Sequence, residues 1–220
     1  MTGLRLNIAC GANMFFPPWI NIDKVDMRSY LDACRSMAGG PEWQVRFVKR
    51  IQSGESVDFR VHDVRKGLPF DSETADVIYA GQFIEHLNPL TEAPAFVREC
   101  RRVLKPGGVL RMTTPDVDLI LEYYHEDRMD DFASEQPEVY KNAIAQSTKL
   151  GYLMFGSLGP ASTAENYEGH MMIYGKLAML ELLEKAGFKE IFFPASIGGY
   201  LGKEVTDMGM SHSMVVEAVK

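Results

Sequence analysis

Three short stretches hold the residues that could do chemistry. LNIACGAN, residues 6–13, runs an apolar segment into Gly11 with Ala9, Cys10 and Ala12 around it. WINIDK, residues 19–24, ends a second apolar run on Asp23, and RVHDV, residues 60–64, sets Asp63 just beyond a third. A glycine at the end of a strand lets the backbone come close to a ligand. A carboxylate in the same place can accept hydrogen bonds from both hydroxyls of a ribose. Asp63 could likewise accept from the exocyclic amine of an adenine, with Val64 covering a ring face. Neither GxGxxG nor GxxxxGK[ST] is present, so the turn does not read as a dinucleotide or triphosphate cradle. A nucleoside cofactor without phosphates fits better. Ala80-Gly81-Gln82 ends a fourth apolar run with small residues where such a cofactor would lie. Glu85 and His86 follow, and His170 stands in YEGHMMIYG. An imidazole suits proton transfer near neutrality, so His86 and His170 are the candidate catalytic groups, with a local structural role as the alternative for each.

The elements that must position these groups follow from periodicity. Strands are predicted at residues 4–9, 19–22, 57–61, 77–80, 109–113, 191–193 and 214–219, most of them nearly continuous apolar runs. A helix at 91–104 carries Ala93, Phe96, Val97, Cys100 and Leu104 on one side and is expected to stop at Pro106-Gly107-Gly108. Asp116 can cap a helix through Tyr124, and a helix at 174–186 ends at Gly187. Strand and helix in alternation argue a doubly wound α/β sheet. Two regions stand outside the repeat: 27–54, with Gly39-Gly40-Pro41, and a long excursion after the fifth strand, at about 125–172, with Tyr140, Tyr152, Phe155 and the loop 156–160. An excursion at the carboxyl ends of strands usually shapes a substrate pocket. Arg111, inside the fifth strand, is expected to be paired or to snorkel. Arg65-Lys66 reads as a solvated turn.

Composition narrows the classes. The chain has 220 residues, 46% hydrophobic and 24% charged, with net charge −7. That suits one domain, residues 1–220, with a substrate-side insertion. No basic face is implied, which disfavours long nucleic acid. Three cysteines without framework spacing, no signal-peptide pattern and no long apolar run point to a cytoplasmic protein with no membrane contact.

These pieces, in this order, resemble a class I S-adenosylmethionine-dependent methyltransferase of the small-molecule type 11 group. The resemblance is carried by LNIACGA, INID, HDVRKGLPFDSETADVIYA, FIEHL, AFVRECRRVLKPGG, VLRMTTPD and LLEKAGF. It implies a Rossmann-like, doubly wound, seven-stranded, mostly parallel sheet whose last strand inserts antiparallel, with a helical insertion after strand five. The cofactor would be S-adenosyl-L-methionine. Ala9, Cys10, Gly11 and Ala12 would face its methionine end, Asp23 the ribose, Asp63 and Val64 the adenine, and Ala80, Gly81 and Gln82 the region of the sulfonium. The implied activity is methyl transfer to oxygen or nitrogen of a small-molecule substrate. The alternative is a catalytically silent partner subunit of another methyltransferase. A homodimer is a further expectation. Metal-binding relatives carry Glu-x-x-Glu-His where this chain reads Gln82-Phe-Ile-Glu85-His86. Loss of one carboxylate weakens a site for a hard cation, so no metal is expected. The family's helix between the first two strands is missing here or reduced to one turn, which puts Met14, Phe15 and Phe16 against the cofactor or beneath it.

Overall fold

The computed structural model describes residues 3–38, 42–135, 138–155, 169–194, 199, 201 and 211–220. Gly39-Gly40-Pro41, the loop 156–160 and Tyr167, a pocket candidate by sequence, lie outside the described residues. The strands are β1 (Leu4–Ile8), β2 (Trp19–Asp23), β3 (Asp58–Val61), β4 (Ala75–Gly81), β5 (Leu104–Pro115), β6 (Glu190–Phe192) and β7 (Ser213–Val219). The helices are α1 (Arg28–Cys34), α2 (Glu42–Gln52), α3 (Glu92–Val103), α4 (Val117–His125), α5 (Glu138–Lys141), α6 (Gln146–Phe155) and α7 (Lys176–Lys185). The strands form one seven-stranded sheet in the order β3-β2-β1-β4-β5-β7-β6. β1 to β5 run parallel, and β7 runs antiparallel to both neighbours. The order reverses between β1 and β4, which opens a crevice at their carboxyl ends.

On α3, Ala93, Phe96, Val97, Cys100 and Val103 repeat at helical spacing and are all buried. With Met179 and Leu183 of α7 they cover Leu6, Ile8, Ile78, Leu110 and Met112 of the sheet. α1 and α2 enclose Cys34, Phe47, Val48 and Ile51 with Cys10 and Met14. A third cluster joins Trp19, Val77, Tyr79 and Val109, with Phe15 packed against it. The insertion has its own core of Ile120, Met129, Phe132, Tyr140 and Leu153. The Asp116 side chain caps α4 by accepting from the amides of Asp118 and Leu119, and Gly187 follows α7 at φ +96°.

One detail differs from the sequence reading. α3 ends at Val103 and the chain is already strand at Leu104, so Pro106-Gly107-Gly108 lies inside β5. The glycines there form a bulge, with Gly107 at φ +77°, between the pairings Ala75–Leu104 and Val77–Val109. The connection from β1 to β2 holds no helix. Buried amides take its place. Asn7 Nδ2 donates to Asn13 O (2.8 Å) and Asn21 Oδ1 (2.9 Å). Asn21 exchanges hydrogen bonds of 2.7 Å with the backbone N–H and carbonyl of Phe15. Phe15 then packs on Trp19 and Tyr79. Met14 is buried in the α1–α2 cluster, so these residues lie beneath the turn.

Candidate functional site

A crevice of about 740 Å³ opens at the switch point, a size usual for small-molecule sites. Ala9, Gly11, Asp23, Asp63, Val64, Gln82 and His86, all candidate site residues by sequence, line it. Its floor is built from strand ends. Gly11 bends the chain at φ +47°, with open space where a Cβ would stand. Ala9 and Gln82, at the ends of the two strands flanking the switch point, take φ +50° and +52° although neither is glycine. Left-handed backbone at non-glycine residues is costly and concentrates at functional sites.

The two carboxylates are already held. Asp23 Oδ2 accepts from the Gly11 amide (2.8 Å) and Oδ1 from the Val25 amide (2.9 Å). Each oxygen keeps a lone pair for a further donor. The His62 amide donates to the Asp23 carbonyl (2.8 Å), which sets the loop bearing Asp63 beside the loop bearing Asp23. Asp63 accepts a two-pronged contact from Arg65, Nε to Oδ1 and a terminal nitrogen to Oδ2, each 2.9 Å. That pairing holds its carboxyl down at about 2. Arg65, read from sequence as part of a solvated turn, is therefore a crevice residue fixed to its neighbour.

Five predicted positions do not line the crevice. Cys10 and Ala80 are buried in separate hydrophobic clusters, and burial raises the Cys10 thiol, first by desolvation and then by the Asp23 charge. Gly81 is buried where a Cβ would meet the Tyr79 hydroxyl at 2.5 Å, so its role is packing. Ala12 is half-buried and not among the lining residues. His170 is not among the lining residues, although its neighbours Gly169 and Met171 are. Conversely, Phe83, Asn88, Thr91 and Glu92 line the crevice and were not singled out; Met171 also lines it. Phe83, Asn88 and Thr91 have a readable signal: they follow the end of β4, where the chain passes over the switch point.

Of the acceptor-side groups, Glu85 is buried and His86 and His170 are half-buried. Glu85 is fully buried and Thr114 donates to its Oε2 (3.1 Å), while Oε1 has no hydrogen-bond partner. Burial pushes its carboxyl up to about 7. His86 Nδ1 lies 3.3 Å from the Gly169 carbonyl, so Nδ1 carries the hydrogen and Nε2 is left as the accepting nitrogen. Burial, and next the neighbouring His86, lower His170 to about 4, and its Nδ1 is buried without a partner. A Glu85 oxygen and one ring nitrogen from each of His86 and His170 lie within 4.8 Å of one another, the sole set among the described residues that could gather around a metal ion. Gln82 is turned away to Ser213 Oγ (3.1 Å).

Residues 6–112 match the family described as "Methyltransferase domain". A protein of Mycolicibacterium smegmatis named "Probable S-adenosylmethionine-dependent methyltransferase" is 43% identical over 58 residues, 24% of this chain and 21% of that protein. The ubiquinone biosynthesis O-methyltransferase of a Chelativorans species is 26% identical over 113 residues, 51% of this chain and 40% of its own. The chain thus spans well under half the length of these curated relatives. A solved structure from Methanosarcina mazei, titled as a SAM-dependent methyltransferase, superposes at a TM-score of 0.55 with 17% identity, over 99% of this chain and 92% of that one. That likeness speaks for the fold, and the matched range 6–112 includes the Gly11 turn, Asp23 and Asp63. Sheet order and matched sequence agree: residues 6–112 are similar to a methyltransferase domain, and the fold is that of a SAM-dependent methyltransferase.

Proposed function

We propose that this chain transfers a methyl group to an oxygen or nitrogen of a small-molecule acceptor. The observation that carries the reading is the crevice itself: two amide-fixed or arginine-fixed carboxylates and a glycine bend open onto one cavity, which also contains a histidine. The donor set suits an adenosyl group without phosphates, because it offers acceptors and no phosphate-binding turn. Asp23 would take the ribose hydroxyls, Val64 a face of the adenine and Asp63 its amine, with Gly11 and Ala9 beside the methionine end. When bound, S-adenosylmethionine supplies a methyl on a sulfonium that leaves as a neutral thioether, so no general acid is needed.

The protein's remaining work is alignment and, for a hydroxyl, removal of a proton. His86 is the wall residue suited to that step, with Nε2 left free of hydrogen by the Gly169 contact. Fully buried Glu85 and half-buried His170, neither of which lines the crevice, are placed to hold His86. A compact insertion and an acidic chain favour a metabolite over a nucleic acid. Two measurements test the reading: calorimetry with S-adenosylhomocysteine, and a methyl-release assay with hydroxyl- and amine-bearing metabolites, run with and without EDTA. Binding in the micromolar range with EDTA-insensitive turnover is expected. Absence of binding overturns the reading; binding with no turnover on any acceptor favours the silent-subunit alternative.

A further inference from the structure

We propose that Glu85 is a positioning residue that clasps residues 169–172 to the loop after β4, and through them seats the helical insertion beside the crevice. The proposal rests on the functional reading only for the purpose of the wall being held. The clasp is a set of hydrogen bonds. The amides of Met171 and Met172 both donate to the Glu85 carbonyl, at 2.8 and 3.2 Å. His86 Nδ1 meets the Gly169 carbonyl at 3.3 Å. From the other side, the His170 amide donates to the carbonyl of Phe155, the last residue of α6, at 3.1 Å. The His170 ring bonds to the backbone of Leu153 and Met154 in the same turn. The last carbonyls of a helix have no partners within it, so α6 ends on acceptors that His170 fills. Four residues therefore tie α6 to the loop after β4. Three of the residues involved, His86, Gly169 and Met171, line the crevice, whereas Glu85 does not.

The Glu85 side chain completes the tie. Oε2 takes the Thr114 hydroxyl from β5. His170 spends Nε2 on α6, which leaves Nδ1 as a bare acceptor, buried without a partner, like Glu85 Oε1. These groups belong to a set within 4.8 Å. Two buried acceptors at that range repel unless a hydrogen lies between them, directly or through one water. A carboxylic acid supplies that hydrogen, and so does the amide of a glutamine. The place thus calls for a donor rather than a negative charge. The raised carboxyl agrees, as does the lowered His170, which brings no cation to Glu85 near neutrality. Substitution by glutamine and by alanine should consequently part ways, which would not happen if Glu85 served as a proton acceptor or as a charge for a cation.

The test compares the full chain with its Glu85→Gln, Glu85→Ala and His170→Ala variants by hydrogen-exchange mass spectrometry, with S-adenosylhomocysteine calorimetry on each. In Glu85→Ala and His170→Ala, amides of 146–155 and 169–174 should exchange about tenfold faster, while Glu85→Gln stays within about twofold of the unmodified chain. Imidazole ¹⁵N shifts should report His86 protonated on Nδ1 in the unmodified chain and in Glu85→Gln, and a tautomer mixture in Glu85→Ala. Unchanged exchange in both alanine variants overturns the clasp. So does a Glu85→Gln variant that opens as far as Glu85→Ala, because charge would then be doing the holding. Should Glu85→Ala fail to fold, the comparison of Glu85→Gln with His170→Ala decides. Failure of the unmodified chain to bind S-adenosylhomocysteine would remove the methyl-transfer reading and leave the exchange result standing.

Discussion

Asp23 was legible from its place alone, because a carboxylate at the carboxyl end of a parallel strand lies where the sheet opens. Its two amide partners were not, since they depend on how the Gly11 bend folds back. Those amides hold the carboxylate ready in the absence of any ligand. Asp23→Ala should weaken S-adenosylhomocysteine binding by about 1–3 kcal/mol in calorimetry, the cost of removing a charged acceptor. Glu85 and His170 show why the acceptor side was harder to read: their chemistry is set by neighbours from four elements. They also titrate in opposite senses. Glu85 is raised from 4.5 to about 7, so the unfolded chain loses its proton first, and stability falls as pH rises from 4.5 to 7. His170 is lowered from 6.5 to about 4, so the unfolded chain gains its proton first, and stability falls as pH drops from 6.5 to 4. The two slopes oppose each other between pH 4.5 and 6.5. Glu85→Gln removes the first slope. Its melting temperature relative to the unmodified chain should rise from pH 4.5 to pH 7, in thermal scans at matched ionic strength.

At the scale of elements, apolar runs and helical spacing located all seven strands and the helices α3, α4 and α7. Boundaries moved where backbone chemistry and tertiary pairing disagreed. Pro106-Gly107-Gly108 reads locally as a break, yet β4 on one side and β7 on the other draw it into β5 as a bulge. The connection between β1 and β2 was expected to lack its helix. What replaces that helix could not be read, because Asn7 and Asn21 look like ordinary polar positions within apolar strands. Both are buried, and they satisfy each other and the backbone of Asn13 and Phe15. This network carries the turn that ends in Gly11. Asn21→Ala strands a backbone donor and a backbone acceptor in the interior, and should cost about 2–4 kcal/mol in denaturant unfolding. It should also weaken cofactor-product affinity, although Asn21 does not line the crevice. Equal stability with intact affinity would show that the turn is held by Phe15 packing alone.

Across the whole molecule, the fold was legible in outline because the motif order specifies the sheet order. The pairing that secures its far side was only half legible. Arg111 was expected to be paired or to snorkel; its partner is Glu217 on the adjacent antiparallel strand, at 2.7 Å, with both side chains fully buried. Glu217 Oε1 also accepts from the Leu201 amide at 3.1 Å. Removing one member of a buried pair leaves an uncompensated charge, so Glu217→Ala should lower stability by about 3–5 kcal/mol in equilibrium unfolding. Among the described residues no helix is long and apolar enough to cross a membrane. The placement of β7 has a kinetic consequence. β6 joins the sheet through β7 alone, although it comes earlier in the chain. A growing or refolding chain must therefore leave β6 waiting, and the outer edge of β5 bare, until residues 213–219 arrive to fill the gap. Such distant pairing is slow, and a bare strand edge invites contact between chains. Refolding yield should accordingly be governed by the arrival of that last strand more than by any event at the crevice.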